Sequence, residues 1–476
     1  MTENETVWEA VIGVEVHVEL KTATKAFCAC PTDFGLEPNT AVCPFCLGMP
    51  GVLPRLNGQA VRYAVMAGLA LHGTIHRETW FDRKNYTYPD LPKGYQITQY
   101  ERPFVADGYV EVPVGDTTRR IRIERIHLEE DAGKLLHRDD GTYIDYNRAG
   151  VPLIEIVSAP DMRSAADVRA YLTELRRRIL YIGVSDCKMN EGSMRCDLNV
   201  SVHRPGEPYG VRCEIKNVNS IQYAGRAVED EIRRQTGILA KGEPVAAETR
   251  RYNENTGRTE TMRKKETAVD YRYFPEPDIP PVILSDAWLA EVRAAMPPMP
   301  EEVEKLLSER YGLPMEDIRR IATTPARVRY FEKATEACCY PRLCANLYIG
   351  SLLAGLSEDG VPVLRPEWLG ETAALFGEGK IGSTTAKKLL SMAETENLPP
   401  HTIAEREEMY LITDPETLTG YVERAICTNK KAVSQYRNGK KTAAKAILGT
   451  IFRETGGRAD PALAEKLLMD ALESIQ

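Results

Sequence analysis

Residues 11–20 read VIGVEVHVEL, and from Val14 onward apolar and polar side chains alternate strictly. An alternation of period two is typical of a β-strand with one face in the core and the other toward water. The polar face carries Glu15, His17 and Glu19, without the threonine, serine or basic residues common on exposed strands. Carboxylates suit hard divalent cations and imidazole suits several metals, so the pattern favours a metal site. An ordinary exposed face is the alternative.

Length and composition indicate a multidomain globular protein. The chain has 476 residues and a net charge of −8. No apolar run approaches the roughly 18 residues of a membrane span, and the acidic N-terminus lacks the apolar core of a signal peptide, so we expect a cytoplasmic protein. The acidic total argues against a uniformly basic nucleic-acid binder but allows a local basic patch.

Four of the eleven cysteines fall in one short segment. Cys28 and Cys30 form a CxC pair, and Cys43 and Cys46 form a CxxC pair after a polar loop. Two such pairs are typical of a structural zinc site with four thiolate ligands, which would hold the loop and do no chemistry. A reactive dithiol and cysteines without a ligand are the two alternatives.

Two further segments and one isolated acid provide candidate functional residues. Residues 81–100 mix aromatic and basic side chains with two prolines, which suits a nucleotide, a nucleic-acid end or a buried polar channel. A surface loop packed by tyrosines is the alternative. Residues 127–134, HLEEDAGK, place three consecutive acids beside a histidine at a predicted strand end. Glu155 interrupts an apolar strand, where a buried carboxylate needs a metal, an arginine or a hydrogen-bond network.

These acids, gathered together, predict a magnesium site. One or two Mg²⁺ ions would be held by Glu15, His17, Glu130, Glu155 and, as a weaker candidate, Asp197. The chain has no Walker A sequence, but a metal site of this kind also suits phosphoryl transfer. The residues therefore indicate an ATP-using enzyme that acts on a nucleic acid. A zinc-stabilised RNA-binding scaffold without its own chemistry, whose acids serve a partner interface, is the alternative.

The rest of the chain is predicted to be helical. Prolines near residues 275–300 and at 399–400 mark boundaries. We therefore predict an α+β fold with three domains: a mixed-sheet domain over 1–292 that includes the zinc loop at 28–46, an all-α domain over 293–400, and a basic all-α tail over 401–476.

The tail contains a basic segment. Between residues 424 and 458 there are nine basic residues and one acidic residue. Such a local excess is the electrostatic footprint expected for phosphate backbones, although a solvated helix face is the alternative. The candidate phosphate contacts are Lys430, Lys431, Arg437, Lys440, Lys441 and Lys445.

Seven long motifs, in order, resemble the B subunit of the tRNA-dependent aspartyl/glutamyl amidotransferases. They are VIGVEVHVEL, FDRKNYTYPDLPKGYQITQ, HLEEDAGK, DYNRAGVPLIEIVS, EGSMRCDLNVSV, EIKNVNS and DYRYFPEPD. The resemblance extends over essentially the whole chain. The sequence from Tyr436 onward resembles the tail domain with which that family contacts tRNA.

The resemblance implies an ATP- and Mg²⁺-dependent carbon–nitrogen ligase with glutamine as amido donor. The B subunit would bind Glu-tRNA(Gln) or Asp-tRNA(Asn) in a cradle domain and phosphorylate the side-chain carboxylate. An amidase A subunit would release ammonia, which would pass through a channel and displace the phosphate. A small C subunit would complete the heterotrimer.

The resemblance also implies roles for individual residues. Glu15 and His17 match the family's metal-binding strand, and Glu130 and Glu155 match its acidic ligands, whereas the match of Asp197 is weaker. The implied catalytic residues are Glu130, Lys84 and Lys93, with both lysines in the loop that lines the channel mouth. Three residues would bind the cofactor and shape the pocket for the tRNA 3′ end: Tyr86, Tyr88 and Asn147. The six basic tail residues would contact tRNA, and the four cysteines match a zinc site that some members keep.

Overall fold

The structure is a computed structural model that describes residues 8–115, 117–264, 270–357 and 360–474. Residues 1–7, on which the prediction of no signal peptide partly rests, lie outside the described residues. The chain separates into two compact units, Met1–Met299 and Pro300–Gln476. The first contains all the strands of the described residues and the second is helical. The predicted combination of a mixed sheet region and a helical C-terminal region is confirmed, whereas the predicted boundaries stay predictions.

Within the residues that the structure describes, the strands all lie in the first unit. They are β1 (Glu9–Glu19), β2 (Thr74–Ile75), β3 (Glu78–Thr79), β4 (Asp82–Asn85), β5 (Tyr95–Thr98), β6 (Val105–Val114), β7 (Thr117–Glu130), β8 (Lys134–Arg138), β9 (Gly141–Asp145), β10 (Pro152–Ser158), β11 (Met194–His203), β12 (Cys213–Val218), β13 (Glu248–Asn253), β14 (Arg258–Lys264), β15 (Phe274–Pro275) and β16 (Val282–Ile283).

The helices occur in both units. Those of the first unit are α1 (Gly58–Ala70), α2 (Ala165–Tyr181), α3 (Ile221–Leu239) and α4 (Asp286–Ala294). Those of the second are α5 (Pro300–Tyr311), α6 (Met315–Ile321), α7 (Pro325–Glu336), α8 (Pro341–Leu347), α9 (Pro366–Gly377), α10 (Ser383–Glu396), α11 (Pro400–Arg406), α12 (Pro415–Thr428), α13 (Lys430–Arg437), α14 (Ala444–Glu454) and α15 (Pro461–Ser474).

The large sheet is organised around β1, which is its central strand. Within the described residues the sheet has nine strands in the order β14-β13-β12-β11-β1-β10-β7-β6-β2. Both neighbours of β1 are antiparallel to it. Val14, Val16 and Val18 are almost completely buried and join the core cluster that the first three helices also enter. The predicted strand is therefore confirmed, and its apolar face is the core face.

Two smaller elements position candidate residues of the first unit. The sheet β15-β4-β5 carries Lys84 on its central strand. The β8–β9 hairpin lies against the loop between the two cysteine pairs, because Asn39 donates its backbone N–H to Asp145 at 3.0 Å and its side-chain amide to the Ile144 carbonyl at 2.9 Å. The first of these elements therefore carries the candidate residue Lys84, and the second contacts the cysteine segment.

The C-terminal helices form a core of their own within the second unit. Leu418 and Val422 of α12 pack with Ile447 of α14 and Leu468 of α15. Helix α13 has no buried residue. Among the described residues, no helix has both the length and the apolar character needed to cross a membrane.

Candidate active site

The polar face of β1 meets acids and a histidine from two neighbouring strands. His17 lies opposite Glu155 of β10, and Glu155 lies opposite His127 of β7. Glu129 follows His127 by two residues and so points to the same face. Nε2 of His17 lies 3.4 Å from Oε2 of Glu155 and 3.7 Å from Oε1 of Glu129. Nε2 of His127 lies 3.3 Å and 3.6 Å from the same two carboxylates. The sheet register therefore creates a compact cluster of two imidazoles and two carboxylates.

Electrostatics in this cluster are dominated by burial and by opposite charges. Burial lowers the pKa of His17, but the hydrogen bond and charge of Glu155 outweigh it and hold that pKa at about 9. Burial raises the pKa of Glu155, but the two imidazoles lower it by more, so the pKa lies well below its usual value. The Glu155 carboxylate therefore stays ionised beside a cation, which here is the His17 imidazolium.

The donor set of this cluster fits a divalent cation. His17, Glu129 and Glu155 each offer one ligand atom, and these three atoms lie within 4.8 Å of one another. A hard cation with ligands at about 2.1 Å spaces its donors roughly 3–4 Å apart. Nδ1 of His127 is buried and has no hydrogen-bond partner among the described residues, so this ring is not held by a hydrogen bond at that atom. The residues His17, Glu129 and Glu155 could therefore hold Mg²⁺.

Glu130 does not lie in this cluster, which corrects the sequence-based grouping of Glu130 with His17 and Glu155. Neighbouring strand residues point to opposite faces, so Glu129 faces the cluster and Glu130 faces away. Glu130 accepts hydrogen bonds from Lys93 Nζ at 2.8 Å and from the Ile97 backbone N–H at 2.9 Å. Its side chain is fully buried and that of Lys93 is 9% exposed. The predicted residues Glu130 and Lys93 are therefore brought together as a buried ion pair. Glu129 belongs to the acidic run that the sequence shows after His127, but Glu130 was the residue named as the ligand.

A second acidic group lies beside the first on the same sheet. Asp197 of β11 lies opposite Glu15, and Glu214 lies on the next strand, β12. One carboxylate oxygen from each of the three lies within 4.8 Å of the others. Lys216 Nζ is 2.9 Å from Asp197 and 3.0 Å from Glu214. The predicted residues Glu15 and Asp197 are thus brought together, but in a group separate from His17 and Glu155. Glu214 was not among the predicted ligands.

Lys84 and Tyr86 lie near the first cluster. Burial lowers the pKa of Lys84, but the charges of Glu129 and other neighbours raise it overall. The ammonium also lies 4.9 Å from the centre of the Tyr271 ring. Burial, and then the charge of Glu129, raises the pKa of Tyr86. Tyr88, in contrast, is 56% exposed and lies at the surface.

The Asn147 side chain forms hydrogen bonds with the cysteine segment. Its side-chain oxygen accepts a hydrogen bond from the Ala41 backbone N–H at 2.8 Å, and its amide donates to the Glu37 carbonyl at 2.7 Å. Both partners lie between the two cysteine pairs. The side chain predicted to shape the substrate pocket therefore holds this loop, and no local pattern in the sequence indicates contacts made over more than 100 residues.

The four predicted zinc ligands form one cluster. Sγ of Cys46 lies 3.5 Å from that of Cys28, 3.7 Å from Cys43 and 3.8 Å from Cys30. Four thiolates at 2.3 Å from a tetrahedral zinc ion are about 3.8 Å apart. None of the four forms a disulfide. The hydrogen bond from Cys28, and the charge of buried Lys25, lower the pKa of the Cys46 thiol. The cluster is confirmed and fits zinc, whereas the ion itself stays a prediction.

Metal analysis tests this site. We expect the purified full-length chain to carry about one Zn²⁺, and Cys46→Ser to reduce the content about tenfold or more, because a thiolate ligand is lost. The measurement is elemental mass spectrometry after gel filtration. Cys427→Ser, at an exposed cysteine of α12, is the matched control and should keep its zinc. Equal zinc in wild type and Cys46→Ser would contradict the assignment.

The predicted basic residues of the tail lie on a surface. All six are exposed and they follow one another through α13, the turn after it and the start of α14: Lys430, Lys431, Arg437, Lys440, Lys441 and Lys445. The geometry therefore presents them to solvent, as a contact with phosphates requires.

Comparison with known proteins supports the resemblance. Residues 10–290 match the family model described as the GatB/GatE catalytic domain, and residues 329–472 match the one described as the GatB domain. The aspartyl/glutamyl-tRNA(Asn/Gln) amidotransferase B subunit of Carboxydothermus hydrogenoformans is 45% identical over 98% of this chain and 99% of its own length. The protein of the same name from Persephonella marina is 43% identical over 98% and 100%, and that from Thermoanaerobacter pseudethanolicus is 45% identical over 98% and 99%. The chain therefore belongs to the family of aspartyl/glutamyl-tRNA(Asn/Gln) amidotransferase B subunits.

Proposed function

We propose that this chain uses ATP to activate the side-chain carboxylate of Glu-tRNA(Gln) or Asp-tRNA(Asn) and then hosts its amidation. The observation that carries the proposal is the cluster of His17, Glu129 and Glu155 on one face of the sheet. The relatives are named as the B subunit of an amidotransferase, which supports a multi-subunit assembly. The partners of this chain would be an amidase A subunit and a small C subunit, and the assembly would act in the cytoplasm.

The chemistry takes two steps. An oxygen of the side-chain carboxylate attacks the γ-phosphorus of ATP, the bond to the bridging oxygen breaks, and ADP leaves. Ammonia then attacks the carbonyl carbon of the acyl phosphate, the carbon–oxygen bond breaks, and phosphate leaves with the surplus proton. Activation is needed because the leaving group of a free carboxylate would be oxide, whereas that of an acyl phosphate is phosphate.

The acidic face of the sheet serves the first step. His17, Glu129 and Glu155 would hold Mg²⁺, which when bound neutralises charge on the transferred phosphoryl group. Lys84 would pair with a phosphoryl oxygen, since the charges of Glu129 and Glu155 already act on its ammonium and raise its pKa. His127 lies within 3.3 Å of Glu155 and 3.6 Å of Glu129 and orients both carboxylates. Glu15, Asp197 and Glu214 form a neighbouring group that could accept a second ion.

The opposite face of β7 serves the second step. The buried Lys93–Glu130 pair borders a small cavity lined also by Phe45, Leu91 and Gly150. This region would be the route by which ammonia reaches the acyl phosphate. Its low exposure keeps bulk water away, so the nucleophile stays neutral and the activated carboxylate is not hydrolysed.

The experiment that tests the function uses the full chain assembled with its partner subunits. Formation of ADP from ATP is followed with Glu-tRNA(Gln), Mg²⁺ and no amide donor. We expect cleavage that requires the aminoacylated tRNA, together with an activated carboxylate that hydroxylamine traps. Absence of cleavage, or equal cleavage with deacylated tRNA, would favour a scaffold role.

The basic tail would bind tRNA through its phosphates. Lys440→Ala combined with Lys441→Ala is expected to weaken tRNA binding about tenfold and to reduce the salt slope of log K by about 2, since each lysine contributes one released counterion. Binding is measured by fluorescence anisotropy at several salt concentrations. Lys387→Ala with Lys388→Ala, an exposed pair on α10, is the matched control. An unchanged salt slope in the tail variant would contradict this role.

A further inference from the structure

The cysteine loop, defined here as residues 28–49, packs directly against the buried Lys93–Glu130 pair. Phe45 lies between Cys43 and Cys46, and its ring centre is 4.9 Å from Lys93 Nζ. The ring is 7% exposed, so the contact is almost dry. A cation over an aromatic face is attracted to it, and the attraction is stronger where water is excluded. The CxxC turn therefore contacts the Lys93 ammonium itself.

A second contact joins the two backbones. Gly48 has a φ of +64°, and a Cβ added there would lie 2.9 Å from the Pro92 carbonyl and 3.0 Å from the Lys93 backbone nitrogen. Only glycine allows this close approach. The turn is fixed by hydrogen bonds from Leu47 N–H to the Cys43 carbonyl and from Gly48 N–H to the Phe45 carbonyl. A shift of the cysteines would consequently move the backbone that carries Lys93.

A third connection is electrostatic. Lys25 is fully buried, and its ammonium lies 3.4 Å from Cys46 Sγ and 3.2 Å from the Tyr146 carbonyl. Lys25 and Cys46 line the same small cavity as Lys93 and Glu130. Four thiolates bound to one divalent cation leave a net negative charge, which the Lys25 ammonium partly neutralises. The cysteine cluster and the ion pair therefore share one buried region.

We propose that the metal-bound cysteine loop positions the Lys93–Glu130 pair, with Phe45 and Gly48 as the positioning residues. One ion held by four thiolates fixes the CxxC turn, whereas four free thiols do not. Loss of the metal would release Phe45 and Gly48 from Lys93 and disturb the pair. Only the kinetic effect of this inference rests on the proposed function, which assigns the Lys93–Glu130 pair to amidation. Loss of the metal is therefore expected to lower amidation more than activation.

The test measures the position of Lys93 rather than activity. The full chain, with zinc and after removal of zinc by a chelator, is treated with an amine-acylating reagent, and each lysine is followed by mass spectrometry. We expect the acylation rate of Lys93 to rise about fivefold or more on zinc removal, because a locally opened segment exposes its amine. Lys305, whose side chain is 77% exposed, is the internal reference and should not change.

Variants separate the ring contact from the metal. Phe45→Ala with full zinc content is expected to raise the acylation rate of Lys93 about threefold, because one cation–π contact is lost. Phe45→Tyr keeps an aromatic ring and should keep Lys93 protected. If Phe45→Ala loses its zinc, Phe45→Leu is measured in its place, because leucine keeps apolar volume without the ring. Leu53→Ala, an exposed position beyond the loop, is the matched control.

The outcomes distinguish this inference from the proposed function. Increased Lys93 reactivity on zinc removal supports the positioning role, whatever the result of the ATP cleavage experiment. Absence of tRNA-dependent ATP cleavage by the assembly would count against the proposed function alone. Equal Lys93 reactivity with and without zinc would overturn the positioning role and leave the function standing. An equal increase in Phe45→Ala and Leu53→Ala would also overturn the role of the ring.

Discussion

The Glu129→Gln variant, assembled with its partner subunits, is expected to lose about 10³-fold in the rate of tRNA-dependent ATP cleavage. The side chain supplies one of two buried carboxylates that face His17 and His127. Glutamine keeps the shape but removes the charge that a divalent cation requires. Metal stabilisation of a phosphoryl-transfer transition state amounts to several kcal/mol, and about 4 kcal/mol corresponds to 10³-fold. The rate is measured with Glu-tRNA(Gln), Mg²⁺ and no amide donor.

The adjacent Glu130→Gln variant is the matched control for this prediction. Its side chain lies on the opposite face of β7 and keeps an acceptor for Lys93. We expect ATP cleavage within about threefold of wild type and a larger loss of glutamine-dependent amidation, since in the proposed function only the second step would use that face. A greater loss of ATP cleavage in Glu130→Gln than in Glu129→Gln would reverse the assignment of the two carboxylates.

The second large effect concerns stability. Glu130→Ala is expected to lower the free energy of unfolding of the first unit by about 3–5 kcal/mol, because it leaves a buried ammonium without its partner. The pair is 2.8 Å apart and both side chains are buried or nearly so. Urea unfolding is followed by tryptophan fluorescence, to which Trp8, Trp80 and Trp288 of the first unit contribute.

A double variant separates charge from packing in this second prediction. Lys93→Met combined with Glu130→Leu removes both charges together, so no isolated charge stays buried. The expected loss is below about 2 kcal/mol, smaller than that of the single variant. A single Glu130→Ala variant that lost less than about 1 kcal/mol would mean that Lys93 finds water or another anion, and the pair would not be structural.

The alternation in residues 11–20 was sufficient to predict β1 and its two faces, but the phase of β7 was harder to predict. Ile121 and Ile123 are buried at odd positions, whereas Ile126 and Leu128 are buried at even positions. The register shift opposite Val157 and Ser158 accounts for this change. A bulge moves every later side chain to the other face. The identity of the acid that faces His17 therefore depended on the phase after the bulge, which the alternation of Ile126 and Leu128 with His127 and Glu129 indicates but the sequence-based grouping did not use.

Long-range pairing explains the other differences. Asp197 and Glu155 both flank β1, but on opposite sides, because β11 and β10 are its two neighbours. The order of strands in a sheet cannot be read from hydrophobic alternation, so one predicted site became two groups of acids. The cysteine cluster was predictable because CxC and CxxC spacings are local, and metal geometry then constrains which four sulfurs meet.

We propose that the acidic sheet face of this chain holds the metal ion of the activation step. Anomalous scattering from a crystal of the full chain soaked with Mn²⁺, a substitute for Mg²⁺, tests it most directly. We predict a peak about 2.0–2.4 Å from the ligand atoms of His17, Glu129 and Glu155. A peak beside Glu130, or none on this face of the sheet in crystals saturated with Mn²⁺, would mean that His17, Glu129 and Glu155 do not hold this ion.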